Sequence, residues 1–250
     1  MQGNDHVNVR AFWGGRVEPI ETQARMVWEC WQRLAAHGDF LSLPWRSLNT
    51  EPEGETPINT FESLLADMSR ARETEGSDYG FSQDLAAITQ KTPCCATLGT
   101  TLSLSRLGAS GLGNDAVLTI DQTDPQAVDV TVPVDWLLSM SVELVRDFVD
   151  IWRPDVVDIN TTSLISQFPI RPGRPSIGFV TWLAPWVVDA RKLPRTPIRE
   201  EYRGGTLIGI NPDAKDPVRE ATKLAKKIYD ADILKPLPTV QPQWGDVSSC

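Results

Sequence analysis

Four carboxylates crowd one short stretch of the chain: Asp147, Asp150, Asp155 and Asp158. Oxygen ligands at such spacing suit a hard divalent cation, which would in turn support hydrolytic chemistry. Two features weigh against that use. The carboxylates straddle the end of a predicted helix and the start of a predicted strand, and no EF-hand spacing surrounds them. Histidine chemistry is equally poorly supplied, because His6 and His37 are the only histidines. His6 lies in the polar opening, and His37 sits beside Gly38 at a predicted helix end, a routine place for a cation. With so few histidines most serine, cysteine and zinc hydrolase plans are hard to assemble, although carboxylates and lysines can work without histidine. The glycine-rich run from Gly108 through Gly111 to Gly113 has no lysine after it and has strand-like neighbours, so it reads as a hairpin turn, not a phosphate cradle. A restriction-type nuclease would want an acid followed by an acid-x-lysine triad on adjoining strands, and the sequence offers no convincing copy of it. The expectation is a non-enzymatic protein with no metal and no cofactor.

The elements that would position these residues are a mixture of strands and helices. Val7 to Phe12 alternates polar and apolar residues and predicts a strand, ended by Gly14-Gly15. Apolar residues at three- and four-residue steps predict a helix over about 21–36 and a second over 60–72, capped by Thr60. Leu43 to Ile58, with Pro44, Pro52 and Pro57, reads as an exposed loop, and Tyr79 to Ile88 reads equally as strand or short helix. Strands are expected over 94–107 and 116–120, while Val128 to Val132 could close that sheet or be loop. The strongest helical pattern starts at Pro133 and Asp135 and stops at Pro154. Further strands are expected at 156–159, 177–183 and 206–210, before a last helix from about Pro217 to Asp230. Strands and helices do not alternate regularly, and no repeat is visible. The expected architecture is therefore α+β: a single domain over 1–235, with a mainly antiparallel sheet packed by about four helices. Residues 236–250 form a proline-containing tail.

Charge and composition narrow the partners. The 250 residues carry a formal charge of -9. From Glu18 to Asp84 there are 13 acidic and 5 basic residues, and from Asp115 to Asp158 there are 10 and 2. Beyond Ile159 the balance reverses, with 13 basic against 9 acidic. Such a field repels phosphate backbones and steers cationic protein surfaces inward, so neither nucleic acid nor membrane is an expected partner. The four cysteines, Cys30, Cys94, Cys95 and Cys250, show neither a disulfide framework nor zinc spacing. With no membrane-spanning run and no secretory leader pattern, the expected compartment is the cytoplasm. Nine tryptophans are many for this length. Most fall on predicted helices and strands, where core packing explains them, but Trp45 and Trp244 lie in proline-flanked segments and are read as exposed candidate anchors.

Several short segments resemble the bacterial immunity protein 52 family. They are Ala11 to Arg16, Phe148 to Asp155 with its Trp152-Arg153-Pro154-Asp155 end, Gly173 to Leu183, and Arg203 to Ile208 with the helix after Asp216-Pro217, in the family's order from about Val9 to Leu234. The resemblance implies an α+β immunity protein of a polymorphic toxin system, encoded beside a toxin that often carries a restriction-endonuclease-like nuclease domain. It implies a structural role for Trp13, Gly14, Arg16, Trp152, Pro154, Gly178, Trp182, Gly204 and Gly205. The chain departs from the family in an acidic insert from Glu51 to Pro57 and in its tail. Blocking of the toxin by an acidic surface is then the expected mechanism, with Glu51, Glu53, Glu55, Asp121, Asp124 and Trp45 as candidate toxin contacts. The rival expectations are an adaptor or chaperone that loads an effector into a secretion system, and an enzyme built on the Asp147 to Asp158 carboxylates.

Overall fold

The computed structural model describes residues 7–16, 18–37, 45–47, 57–75, 81–88, 94–102, 114–122, 134–168 and 173–238. Among the described residues ten strands form one sheet: β1 (Val7–Trp13), β2 (Trp45–Ser47), β3 (Pro57–Ile58), β4 (Phe81–Ile88), β5 (Cys94–Leu102), β6 (Asn114–Gln122), β7 (Val156–Thr161), β8 (Val180–Leu183), β9 (Ile198–Tyr202) and β10 (Gly205–Gly209). Their order across the sheet is β3-β2-β4-β5-β6-β1-β7-β8-β10-β9, and every pairing among them is antiparallel. The helices are α1 (Ile20–Leu34), α2 (Phe61–Glu75), α3 (Val134–Trp152), the single turn α4 (Thr162–Ile165) and α5 (Pro217–Asp230). The expected α+β architecture with an antiparallel sheet is thus present. The fifth helix is the one-turn α4, too short for a 3.6-residue period to register in sequence.

β1 shows why the sheet has an inside. Val7, Val9, Ala11 and Trp13 are buried while Asn8, Arg10 and Phe12 alternate with them at partial exposure. That is the period-2 signature of a strand with one face on a core. α1 packs beside both α2 and α3, and α3 lies against β1, β7 and β8. α3 contributes Leu144, Val145, Phe148, Val149 and Trp152, all fully buried, at helical spacing. Its end is sharply made. Arg153 takes a left-handed conformation at φ 45°, its N–H donates to Val149 O at 3.0 Å, and Pro154 blocks continuation. α5 begins as abruptly: Asp216 accepts from Arg219 N at 3.0 Å, and Pro217 occupies the first turn.

Two expectations about the 43–58 stretch are corrected. It contains β2 and β3, and Trp45 is fully buried, not exposed. Trp45 stacks on Trp31 of α1, with ring centroids 5.2 Å apart and planes within 9°. Burial of so large a ring against a partner ring is a strong stabilising contact, and it overrides the local bias that nearby prolines give the sequence. Tyr79 to Ile88 resolves as β4 from Phe81. The strand expected from Ile177 starts only at Val180, and β9, which sequence periodicity does not mark, pairs with β10. Val128 to Val132, the Gly108–Gly113 turn, Trp244 and His6 lie outside the described residues, as does the tail beyond Pro238. The chain is pinned on either side of the start of that tail: Lys235 N donates to Val187 O at 2.9 Å and Leu237 N to Gly173 O at 2.7 Å. Among the described residues no helix is long and apolar enough to cross a membrane.

Candidate functional site

Two of the segments that carry the resemblance, Ala11 to Arg16 and Trp152 to Asp155, meet at one buried carboxylate. Asp155 follows the α3 stop and leads into β7, with no solvent exposure. Its Oδ2 accepts from Gly14 N at 2.7 Å and its Oδ1 from Trp186 Nε1 at 2.8 Å. Its own N–H donates to Phe12 O at 2.8 Å, and its carbonyl accepts from Ala184 N at 3.0 Å. One residue therefore fastens the end of β1, the entry to β7 and the exit of β8. Above it Trp13 and Trp152 stack at 5.7 Å with planes 20° apart. Arg16 lies over the Trp13 ring at 5.0 Å and donates to Arg153 O at 3.1 Å. The left-handed turn at Arg153 is what makes that carbonyl available. Burial pulls the Arg16 guanidinium below its ordinary pKa, and the ion pair with Glu18 at 3.1 Å opposes the pull.

The later motif residues are close-contact glycines and their partner ring. A β-carbon on Gly178 would lie 2.8 Å from the Ile159 carbonyl carbon, and nearer still to its oxygen. On Gly205 it would lie 2.5 Å from Trp182 Cε2. Trp182 is fully buried and its Nε1 donates to Tyr202 O at 2.8 Å. Between β9 and β10, Arg203 at φ 49° and Gly204 at φ 73° form a two-residue turn with both central residues left-handed. That turn matches the twist of the paired strands.

The four clustered carboxylates are dealt out to separate donors. Asp147 accepts from Arg33 Nη1 at 2.9 Å and lies 2.8 Å from His37 Nε2. Asp150 accepts from the Tyr202 hydroxyl at 2.9 Å and Arg203 Nε at 2.8 Å. Asp158 is fully buried and accepts from Arg10 Nε at 2.9 Å, Arg10 Nη2 at 2.8 Å, Ser176 Oγ at 2.5 Å and Asn160 Nδ2. Among the described residues no group of three or more His, Cys, Asp or Glu side chains is placed to hold a metal ion. Cys30 is buried, and burial pushes its thiol well above the ordinary range, so it acts as a core hydrophobe.

Asp147 carries a pH dependence. Burial alone would raise its carboxyl pKa, but the hydrogen bonds from His37 and Arg33 outweigh it and hold the group below the ordinary carboxylate range. A depressed folded-state pKa stabilises the fold above the unfolded-state pKa, and that contribution fades as pH falls through the folded value. Urea melts through the acid range should therefore show Asp147→Asn losing less stability on acidification than the parent chain. Parallel acid limbs would show that Asp147 contributes nothing there.

The residues expected to face a toxin are not brought together among the described residues. Glu51, Glu53, Glu55 and Asp124 lie outside them. Asp121 pairs with Cys95 in the β5–β6 register, two positions on from Thr119. Trp45 belongs to the core. Sequence reasoning passed over Arg10, Ser176, Asn160, Trp186 and Tyr202, which complete the buried polar contacts. Only Arg10 gave a local signal, as a charged residue at a strand position of the less buried parity.

No protein-family model matches the chain, and no curated protein does. The resemblance to the immunity protein 52 family accordingly rests on its motif segments. Among solved structures, the Pseudomonas aeruginosa T6SS protein PA0821 is similar to this chain at 12% identity, over 88% of this chain and 73% of its own, with a TM-score of 0.45.

Proposed function

We propose that this chain is an immunity protein that binds a cognate bacterial toxin and neutralises it stoichiometrically, without chemistry of its own. The observation that supports the reading most is the meeting of the motif segments. Trp13-Gly14 and Trp152-Arg153-Pro154-Asp155 interlock through Asp155 and the Trp13–Trp152 stack, Thr181-Trp182 meets Gly205 through the Trp182 ring, and the β7–β8 register with the Ala184 N to Asp155 O bond joins the two pairs, although the segments are far apart in sequence. A resemblance carried by residues that fasten one another is one of framework, and such a framework leaves the surface free to specialise for a partner. The acidic charge suits a partner whose own site is basic, as in a nuclease that holds nucleic acid. Acidic groups would speed encounter in a salt-dependent way, and apolar contacts at the centre of the interface would set the dissociation rate. Both proteins would act in the cytoplasm of the producing cell.

Co-expression with the toxin encoded beside it tests this directly. The chain should restore growth to cells making that toxin, in a host that lacks the secretion apparatus, and should co-purify with the toxin. Rescue in that host separates neutralisation from effector loading, since a loading adaptor need not protect. Continued killing with no complex would overturn the proposal.

A further inference from the structure

The sheet terminates at β9, and no strand lies on the outer side of β9 among the described residues. The hydrogen-bond phase of that edge follows from the turn. In a two-residue hairpin the residues flanking the turn exchange hydrogen bonds, so Tyr202 and Gly205 form a bonded pair, as do Glu200 with Leu207 and Ile198 with Gly209. The backbone groups of Arg199 and Glu201 therefore point away from β10, toward the open edge. Both residues are exposed, while Ile198, Glu200 and Tyr202 are half-buried on the other face.

We propose that this edge pairs with β9 of a second copy of the chain, antiparallel and centred on Glu200. In that register Arg199 of each copy is opposite Glu201 of the other, and both residues use their outward backbone groups to bond across the twofold axis. Opposite charges directly across an antiparallel pair attract, and like charges repel. The register is specified by the same charges. Centring on Arg199 sets arginine against arginine, and centring on Glu201 sets glutamate against glutamate. The Arg199 guanidinium rests on the neutral carbonyls of Ala190 at 2.8 Å and Leu193 at 3.1 Å, so its charge remains to be met. Glu201 makes no ion pair among the described residues. The two Glu200 side chains that face each other across the axis are already neutralised within their own copies, each held by both oxygens to Arg146 at 2.7 and 2.9 Å. Ile198 lies opposite Tyr202 of the second copy, adding apolar contact on the inner face.

Sedimentation equilibrium of the full chain over a concentration series, with circular dichroism to verify folding, tests this. The parent chain should dimerise. Arg199→Glu alone, or Glu201→Arg alone, should weaken the dimer by about tenfold or more, because two attractive pairs become repulsive. The double swap should restore it. A parent chain that stays monomeric throughout overturns the proposal, as does a dimer indifferent to both single swaps. A double swap no stronger than either single change also overturns it.

Discussion

Replacing Gly178 with alanine should destabilise the protein by about 3 kcal/mol or more, a large share of the roughly 5–15 kcal/mol that holds a domain folded. The reason is space, not backbone torsion. The added carbon would stand 2.8 Å from the Ile159 carbonyl carbon and 2.9 Å from Asn160 Nδ2, closer still to the carbonyl oxygen. These are atoms of β7, buried on both faces and bonded to β1 and β8, so the neighbour cannot retreat without breaking the centre of the sheet. Phe179 N donates to that same Ile159 oxygen at 2.9 Å, which ties the strain to the entry of β8. Gly173→Ala is the control. Gly173 has φ 70° with nothing within 4 Å, so only the left-handed penalty of roughly 1–2 kcal/mol applies. Urea denaturation of the two variants should rank Gly178→Ala well below Gly173→Ala. Equal losses would show that the close approach to β7 costs little.

Removing the Asp158 carboxylate should be comparably harmful. Asp158→Ala leaves the Arg10 guanidinium, 17% exposed, without its counter-charge and leaves Ser176 and Asn160 short of an acceptor. Breaking one side of a buried pair costs about 3–5 kcal/mol, because a charge stays behind in a poorly solvating place. Changing both members costs less than the sum. The double variant Arg10→Met with Asp158→Ala should therefore recover part of the loss, with a coupling of about 0.5–3 kcal/mol in a double-mutant cycle. A cycle with no coupling would show that Arg10 and Asp158 act independently.

Long elements were readable in the sequence where one periodicity ran long enough. α1, α3 and α5 each bury a regular face, and β1 alternates cleanly. β9 was not readable, because Arg199-Glu200-Glu201 puts charges on both faces of an edge strand and leaves no apolar alternation. Trp45 was misread because its prolines are local while its stacking partner, Trp31, comes from α1. The carboxylates at 147–158 looked like a cluster in one dimension. The left-handed residue at Arg153 turns the chain between them, sending Asp147 and Asp150 toward Arg33 and the β9–β10 turn and Asp155 and Asp158 into the sheet. No local pattern announces the partners of Asp155, since Gly14 and Trp186 reach it only through the register of β1 and β8 on β7.

In the proposed function the chain works by occupying a toxin one to one. Titration of the purified chain into the toxin domain proposed as its partner, followed by calorimetry and by residual toxin activity in parallel, reads this most directly. Heat and activity should both saturate at one chain per toxin domain, with no loss of inhibition on prolonged incubation and no modification of either protein by mass spectrometry. Inhibition at a small fraction of an equivalent, or none at a large excess, would contradict it.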